Sequence, residues 1–221
     1  MNLKISFNMK YLKLFEEYTS YHGKDLIVVD IQPEYEDFLS NTFSIGDFCQ
    51  FLNDNIDIFS SVTLLYNGYD TLGMVSESDY IYWLCDNGLD EDIVEQITFC
   101  DKGYAFFRYC IDSDIDDNIT INLIKYMVEK DINDSRDIDE ENWDELIKFY
   151  KDDGLDMSDV RTLLEHSGDM ISIPDLMSQL EKFKNSNVLL TGGHVEECLR
   201  EVVLALKVLD IHYETLDEFI Y

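Results

Sequence analysis

Hydrophobic and polar positions along this chain change period several times, and the changes mark out its elements. Asp25-Leu-Ile-Val-Val-Asp-Ile-Gln32 is a continuous apolar run that ends in polar residues. That is the pattern of a parallel strand buried on both faces, with its carboxyl end toward solvent. Pro33 stops it. Asp47 to Phe59 then carries apolar residues at helical spacing, and Ser61-Val-Thr-Leu-Leu-Tyr66 reads as a second buried strand. Strand, helix and strand in that order predict a βαβ unit with a parallel pair.

The same pattern continues with interruptions. Ser76 to Cys85 reads as a helix or an irregular aromatic segment, and Gln96-Ile-Thr-Phe-Cys-Asp-Lys102 as a third strand broken by Gly103. Asn118 to Lys130 and Glu140 to Lys151 read as helices on either side of the acidic stretch Asp131 to Glu141. Ser172-Ile-Pro-Asp175 offers a capping hydroxyl and an early proline for a helix running to about Phe183. Val188 to Thr191 is the fourth predicted strand, Val195 to Leu209 the helix after it, and Ile211-His-Tyr-Glu-Thr215 the fifth strand. Alternation of this kind predicts an α/β fold, a three-layer α/β/α sandwich with a mainly parallel sheet. The domain is expected over residues 24–221, with an acidic helical insertion at about 112–170. An N-terminal appendage over 1–23 carries the amphipathic segment Met9-Lys-Tyr-Leu-Lys-Leu-Phe-Glu-Glu-Tyr18.

Composition narrows the partners more than the fold. With 221 residues, 46% of them hydrophobic, the chain can bury a full core despite a formal net charge of −31. That charge repels phosphate backbones and anionic membranes, so neither nucleic acid nor membrane is expected as a partner. Cys49, Cys85, Cys100, Cys110 and Cys198 are an odd set without a CxxC pair, which indicates neither a zinc site nor a disulfide framework. No signal peptide or membrane-length apolar run is visible, so a cytoplasmic location is expected, host cytoplasm if the source is viral. Cys49, Cys85 and Cys100 sit in apolar patterns and read as core packing. No cofactor is expected.

Candidate chemistry gathers at the carboxyl ends of the strands, where open parallel sheets bind ligands. In Val188-Leu-Leu-Thr-Gly-Gly-His-Val-Glu-Glu-Cys198 a strand runs through two glycines into a helix that opens near a cysteine. The helix dipole and free N–H groups there favour a thiolate. Asp30 and Lys102 fall at two further strand ends. A carboxylate can deprotonate the thiol and an ammonium can stabilise the thiolate, so Asp30, Lys102 and Cys198 form a coherent catalytic set. Gly192 and Gly193 serve the turn. Glu196 and Glu197 oppose the helix-terminus effect by raising the thiol's pKa. His194 reads as a polar cap with no catalytic role.

These residues carry a family resemblance. Leu26-Ile-Val-Val-Asp30-Ile-Gln32 resembles the Leu-Val-Val-Asp-Met-Gln signature of the isochorismatase-like cysteine hydrolases. Lys102-Gly-Tyr-Ala-Phe-Phe107 is similar to their Lys followed by Tyr/Ser-Ala-Phe. Gly192-Gly-His-Val-Glu-Glu-Cys198 is similar to their Gly-x-x-Thr-x-x-Cys spacing. The resemblance runs from about Lys24 onward, and the ending looks more like divergent phage-type members than like nicotinamidases. It implies the family's α/β fold, with Asp30 as general base, Lys102 as supporting cation and Cys198 as nucleophile. Gly192, Gly193 and Glu197 would occupy the oxyanion and turn positions. The implied reaction is attack on an amide, imide or vinyl-ether carbon of a small molecule, followed by hydrolysis.

The chain departs from that pattern at Val195 and Glu196, where the family has a Thr preceded by a cis peptide that helps build the oxyanion hole. Tyr66-Asn-Gly-Tyr-Asp70 offers Asp70 without the histidines of the nicotinamidase metal site, so no metal site is predicted. The family's dimers and tetramers imply a homo-oligomer, with Tyr80-Ile-Tyr-Trp83 as a candidate interface. Two readings stay open: a cysteine hydrolase, or the same fold without catalysis, an acidic binding or assembly protein that contacts a basic partner.

Overall fold

In the computed structural model the described residues are 21–68, 76–102, 116–133, 137–138, 140–152 and 175–221. Five strands form one sheet: β1 (Asp25–Val29), β2 (Ser61–Tyr66), β3 (Ile97–Asp101), β4 (Val188–Gly192) and β5 (Tyr213–Thr215). Their order is β3-β2-β1-β4-β5, and every neighbouring pair is parallel. The fold is therefore α/β, and the sheet is wholly rather than mainly parallel.

Helices fill the crossovers. Between β1 and β2 lie α1 (Glu36–Leu39) and α2 (Ile45–Asn55), and between β2 and β3 lie α3 (Glu77–Asp86) and α4 (Glu91–Val94). The long crossover from β3 to β4 holds α5 (Asp117–Glu129), α6 (Glu140–Asp152) and α7 (Asp175–Leu180), and α8 (Cys198–Val208) joins β4 to β5. Helix starts follow the sequence: Ser44 and Ser76 each accept the N–H three residues on, from Asp47 at 3.0 Å and Asp79 at 3.1 Å. Ser76 thus resolves the segment left open between helix and irregular structure in favour of a helix.

Both faces of the sheet are buried because successive strand side chains point to opposite sides. Ile27, Val29, Leu65 and Leu190 pack on one face with Leu123 and Met127 of α5, Leu146 of α6, Leu176 of α7 and Val202 of α8. Leu26, Val28, Leu64 and Leu189 pack on the other with Phe48 and Leu52 of α2 and Leu84 of α3. The described part of the acidic stretch after Lys102 is thus a crossover that contributes core. Asp117 ties α5 of this crossover to α8: its carboxylate accepts from Arg200 Nε at 3.2 Å, Arg200 Nη2 at 2.9 Å and Lys207 Nζ at 3.0 Å.

Several expected boundaries shift for local reasons. β1 stops at Val29 rather than Gln32, because Asp30 adopts a left-handed conformation with φ 48°. The helix expected from Val195 starts at Cys198, because the N–H groups of Glu197 and Leu199 both turn back to His194 O. The fifth strand begins at Tyr213 rather than Ile211. Asp210 takes φ 55° and the Ile211 N–H returns to Leu206 O, closing α8 with a left-handed cap. Tyr80 is not an interface aromatic: it is fully buried and its hydroxyl donates to Ile31 O at 2.6 Å. Cys49 and Cys100 are buried as expected, whereas Cys85 is only half-buried. Cys110 and the segment Met9 to Tyr18 lie outside the described residues, as do Asp70 and part of the acidic insertion, chiefly residues 153–170. Among the described residues no helix is long and apolar enough to cross a membrane.

The buried thiols make stability depend on alkali. Burial, with lesser help from Cys85, pushes Cys49 up to about 12, and burial pushes Cys100 up to about 11. The folded chain holds these protons more tightly than the unfolded chain, whose thiols ionise near about 8.5. Their contribution is therefore whole below that pH and is lost as pH rises toward the folded values. The midpoint of thermal unfolding should stay level from about pH 7 to 8 and fall steadily above about 9. Cys49→Val should give a shallower fall, and a fall of equal slope in wild type and variant would show that Cys49 ionises alike in both states.

Candidate active site

The order β3-β2-β1-β4-β5 places a topological switch point between β1 and β4, where connections leave in opposite directions and a crevice opens at the carboxyl ends. Val29 lies opposite Gly192 in the register of that pair. The residues just beyond, Asp30 on one side and the turn leading to Cys198 on the other, therefore start as neighbours. Gly192 must be glycine, since its φ is 76° and a Cβ would run into the Val29 carbonyl oxygen. Gly193, at φ 68°, would bring a Cβ to 3.0 Å from Leu199 N. The two glycines press the turn against β1 and the start of α8, as the sequence implied.

Asp30, Lys102 and Cys198 come together. Lys102 Nζ lies 3.1 Å from Asp30 Oδ2, and both side chains are within 2% of complete burial. Cys198 lies near enough to Asp30 for the carboxylate to act on its thiol. Lys102 is thus no solvated loop residue. Its backbone N–H donates to Tyr66 O at 2.8 Å, which continues the ladder and carries the side chain across β2 toward β1. Asp30 is fixed at both ends of its peptide: its N–H donates to Leu65 O at 2.9 Å and its carbonyl accepts from the Tyr221 hydroxyl at 2.9 Å.

A fourth charged group completes the cluster. Glu201, 2% exposed, sets Oε2 3.5 Å from Lys102 Nζ, so the ammonium lies between two carboxylates. Sequence reasoning did not single it out. The available signal was its spacing: three residues after Cys198, Glu201 shares a helix face with the thiol, amid the apolar Val202, Leu204 and Ala205.

Of the two opposing effects on the thiol that the sequence implied, the upward one prevails, but from other groups. Burial, then the Asp30 carboxylate, pushes Cys198 up to about 12, and Lys102 only partly offsets them. The acids responsible are Asp30 and Glu201, not Glu196 and Glu197. Burial works to lower Lys102, but Asp30 and Glu201 outweigh it and raise it, so the ammonium stays charged. At neutral pH the centre holds a thiol beside a charged lysine, and the helix N-terminus does not suffice to make a thiolate.

In front of the thiol lies a cavity of about 130 Å³ lined by Tyr35, His194, Glu197, Cys198 and Tyr221. Tyr35 is hydrogen-bonded to Asn67, whose N–H in turn donates to Gln32 Oε1 at 2.8 Å, so the polar end of the Val-Val-Asp-Ile-Gln run orients one wall. Burial, followed by the nearby Asp30, pushes Tyr35 up to about 12, which keeps its phenol neutral. His194 is more than a cap: its carbonyl collects two N–H groups, its ring lines the cavity, and among the described residues its buried Nδ1 has no hydrogen-bond partner. Glu197 cannot serve as a backbone oxyanion donor, because its N–H is bound to His194 O at 3.0 Å. The Val195 N–H is bound to Tyr221 O. The N–H groups of Glu196 and Cys198 remain as the turn's candidates for that task. Among the described residues no peptide is cis and no group of metal-binding side chains is present.

Compared with known protein families, with curated proteins and with solved structures, the chain matches none. The site therefore has to be read from its own chemistry.

Removing the cation tests how tightly the cluster is coupled. Lys102→Met leaves Asp30 and Glu201 buried without a counter-charge and should cost about 3–5 kcal/mol of unfolding free energy. Urea denaturation of Lys102→Met and of Lys102→Met/Glu201→Gln reads this directly, and the second substitution should restore part of the loss. A single variant as stable as wild type would mean the carboxylates do not depend on Lys102.

Proposed function

We propose that this protein is an isochorismatase-like cysteine hydrolase acting on a small amide or related molecule. The fold would be the three-layer α/β/α sandwich of that family. The observation that carries the reading is the buried ion pair of Asp30 with Lys102, set close to the Cys198 thiol at the switch point of a parallel sheet. A thiol that only packs a core does not require a desolvated carboxylate and an ammonium behind it.

In this reading the thiol is activated during attack rather than in the resting state. Asp30 takes the S–H proton as the sulfur bonds to the substrate's carbonyl carbon, and the net charge of the cluster does not change. The carbonyl oxygen becomes an oxyanion facing the Cys198 N–H at the first position of α8. Asp30 then returns the proton to the leaving nitrogen, the C–N bond breaks and a thioester remains. A water deprotonated by Asp30 attacks it, the C–S bond breaks, and the proton goes back to the thiolate as the acid leaves. Lys102 stays an ammonium throughout and holds Asp30 in place. The cavity volume of about 130 Å³ favours a compact substrate.

The non-catalytic reading keeps one support, the net charge of −31, which suits a basic partner. It gives no reason for the Asp30, Lys102 and Cys198 contact.

Asp30→Asn separates the two. The substitution removes the charge that raises the Cys198 pKa, so alkylation of Cys198 at pH 8 should quicken by roughly tenfold or more. Ammonia release from a panel of small amides should instead fall by about 10²–10⁴-fold, and Cys198→Ala should abolish it. No ammonia release by wild type from any member of the panel, or ammonia release undiminished in Asp30→Asn, would sink the hydrolase reading.

A further inference from the structure

Tyr221 belongs to two spaces at once. On one side its ring lines the cavity of about 130 Å³ that holds the Cys198 thiol, and on the other it lines a groove of about 630 Å³. The groove runs along β5 and α8, with Val203, Tyr213 and Ile220 supplying apolar surface and Arg200 and Asp217 polar groups. We infer that Tyr221 is the specificity-determining residue of the site, a wall that keeps substrates at Cys198 small by closing the thiol cavity from this groove.

The wall is built to hold its position. The Tyr221 hydroxyl donates to Asp30 O at 2.9 Å, its N–H donates to Gly193 O at 3.2 Å, and its carbonyl accepts from Val195 N–H at 3.2 Å. These bonds anchor it to the strand end that carries the base and to the turn that carries the nucleophile. Its ring stands 6.5 Å from that of Tyr35, on the other wall of the cavity. Burial raises the Tyr221 phenol above its ordinary value, so it stays a neutral donor. A ring tied at its hydroxyl, on a backbone bonded at both its N–H and its carbonyl, does not swing aside at little cost, and the discrimination it imposes is steric. With the ring removed, the cavity opens into a space whose apolar lining suits an aryl or alkyl substituent on the amide nitrogen.

The inference rests on Cys198 facing this cavity as the nucleophile, and the test reads the thiol itself so that it does not depend on turnover. Alkylation of Cys198 by iodoacetamide and by N-benzyliodoacetamide is followed at pH 9, with peptide mass mapping to separate Cys198 from the other cysteines. Wild type should favour the smaller reagent by about tenfold or more. Tyr221→Ala should bring the two rates within about threefold, mainly by raising that of the larger reagent. Tyr221→Phe keeps the ring and should keep the preference, whatever happens to either rate. Tyr221→Leu serves if the alanine variant does not fold, and should fall between the two. Equal rates in wild type, a preference that survives Tyr221→Ala or Tyr221→Leu, or a Cys198 that neither reagent reaches would overturn the inference. A preserved size preference without ammonia release would leave the wall standing and remove the hydrolase, whereas ammonia release without a size preference would do the reverse.

Discussion

A lysine ammonium between two carboxylates, all three withdrawn from water beside a half-buried thiol, is the constraint around which this end of the molecule is built. Taking such charges out of water costs several kcal/mol for each ion, and only close pairing offsets it. Lys102, between Asp30 and Glu201, supplies that pairing. The cluster is left with more negative than positive charge, so adding a thiolate would worsen the imbalance. Burial and the nearby carboxylates therefore both act to keep the proton on Cys198.

The sheet makes this cluster affordable in geometric terms. Because β1 and β4 pair in register at Val29 and Gly192, Asp30 and the turn to Cys198 leave the sheet side by side. Lys102 leaves from β3, two strand spacings from β1, or roughly 10 Å at the usual separation. A long flexible cation can bridge most of that span over β2, and the partner it reaches is held by backbone bonds to Leu65 and Tyr221. The helices on both faces serve the same end, because a parallel sheet stripped of either cover would admit water to the ion pairs.

Much of this was legible in the sequence, for identifiable reasons. Apolar runs gave the strands, strand ends gave Asp30 and Lys102, and two glycines before a helix gave Cys198. What the sequence did not disclose depends on contacts between distant segments. Tyr35 and Tyr221 become walls only when the chain brings residues 35 and 221 together. Glu201 was visible as a spacing, but a lone glutamate on a helix is ordinarily solvated, and only burial gives it meaning. The resting thiol was legible only in part for a related cause: helix-terminus and neighbouring-acid effects are local and readable, whereas desolvation is a property of the folded interior. The end of β1 was placed too late because the left-handed turn at Asp30 leaves no mark in a run that stays apolar through Ile31.

The clamp at Asp117 bears on how Cys198 is carried. Cys198 is the first residue of α8, and the same helix sends Arg200 and Lys207 to a single carboxylate at the start of α5. The thiol therefore stands on a helix moored to its neighbour, whereas Asp30 is moored to the sheet through Leu65.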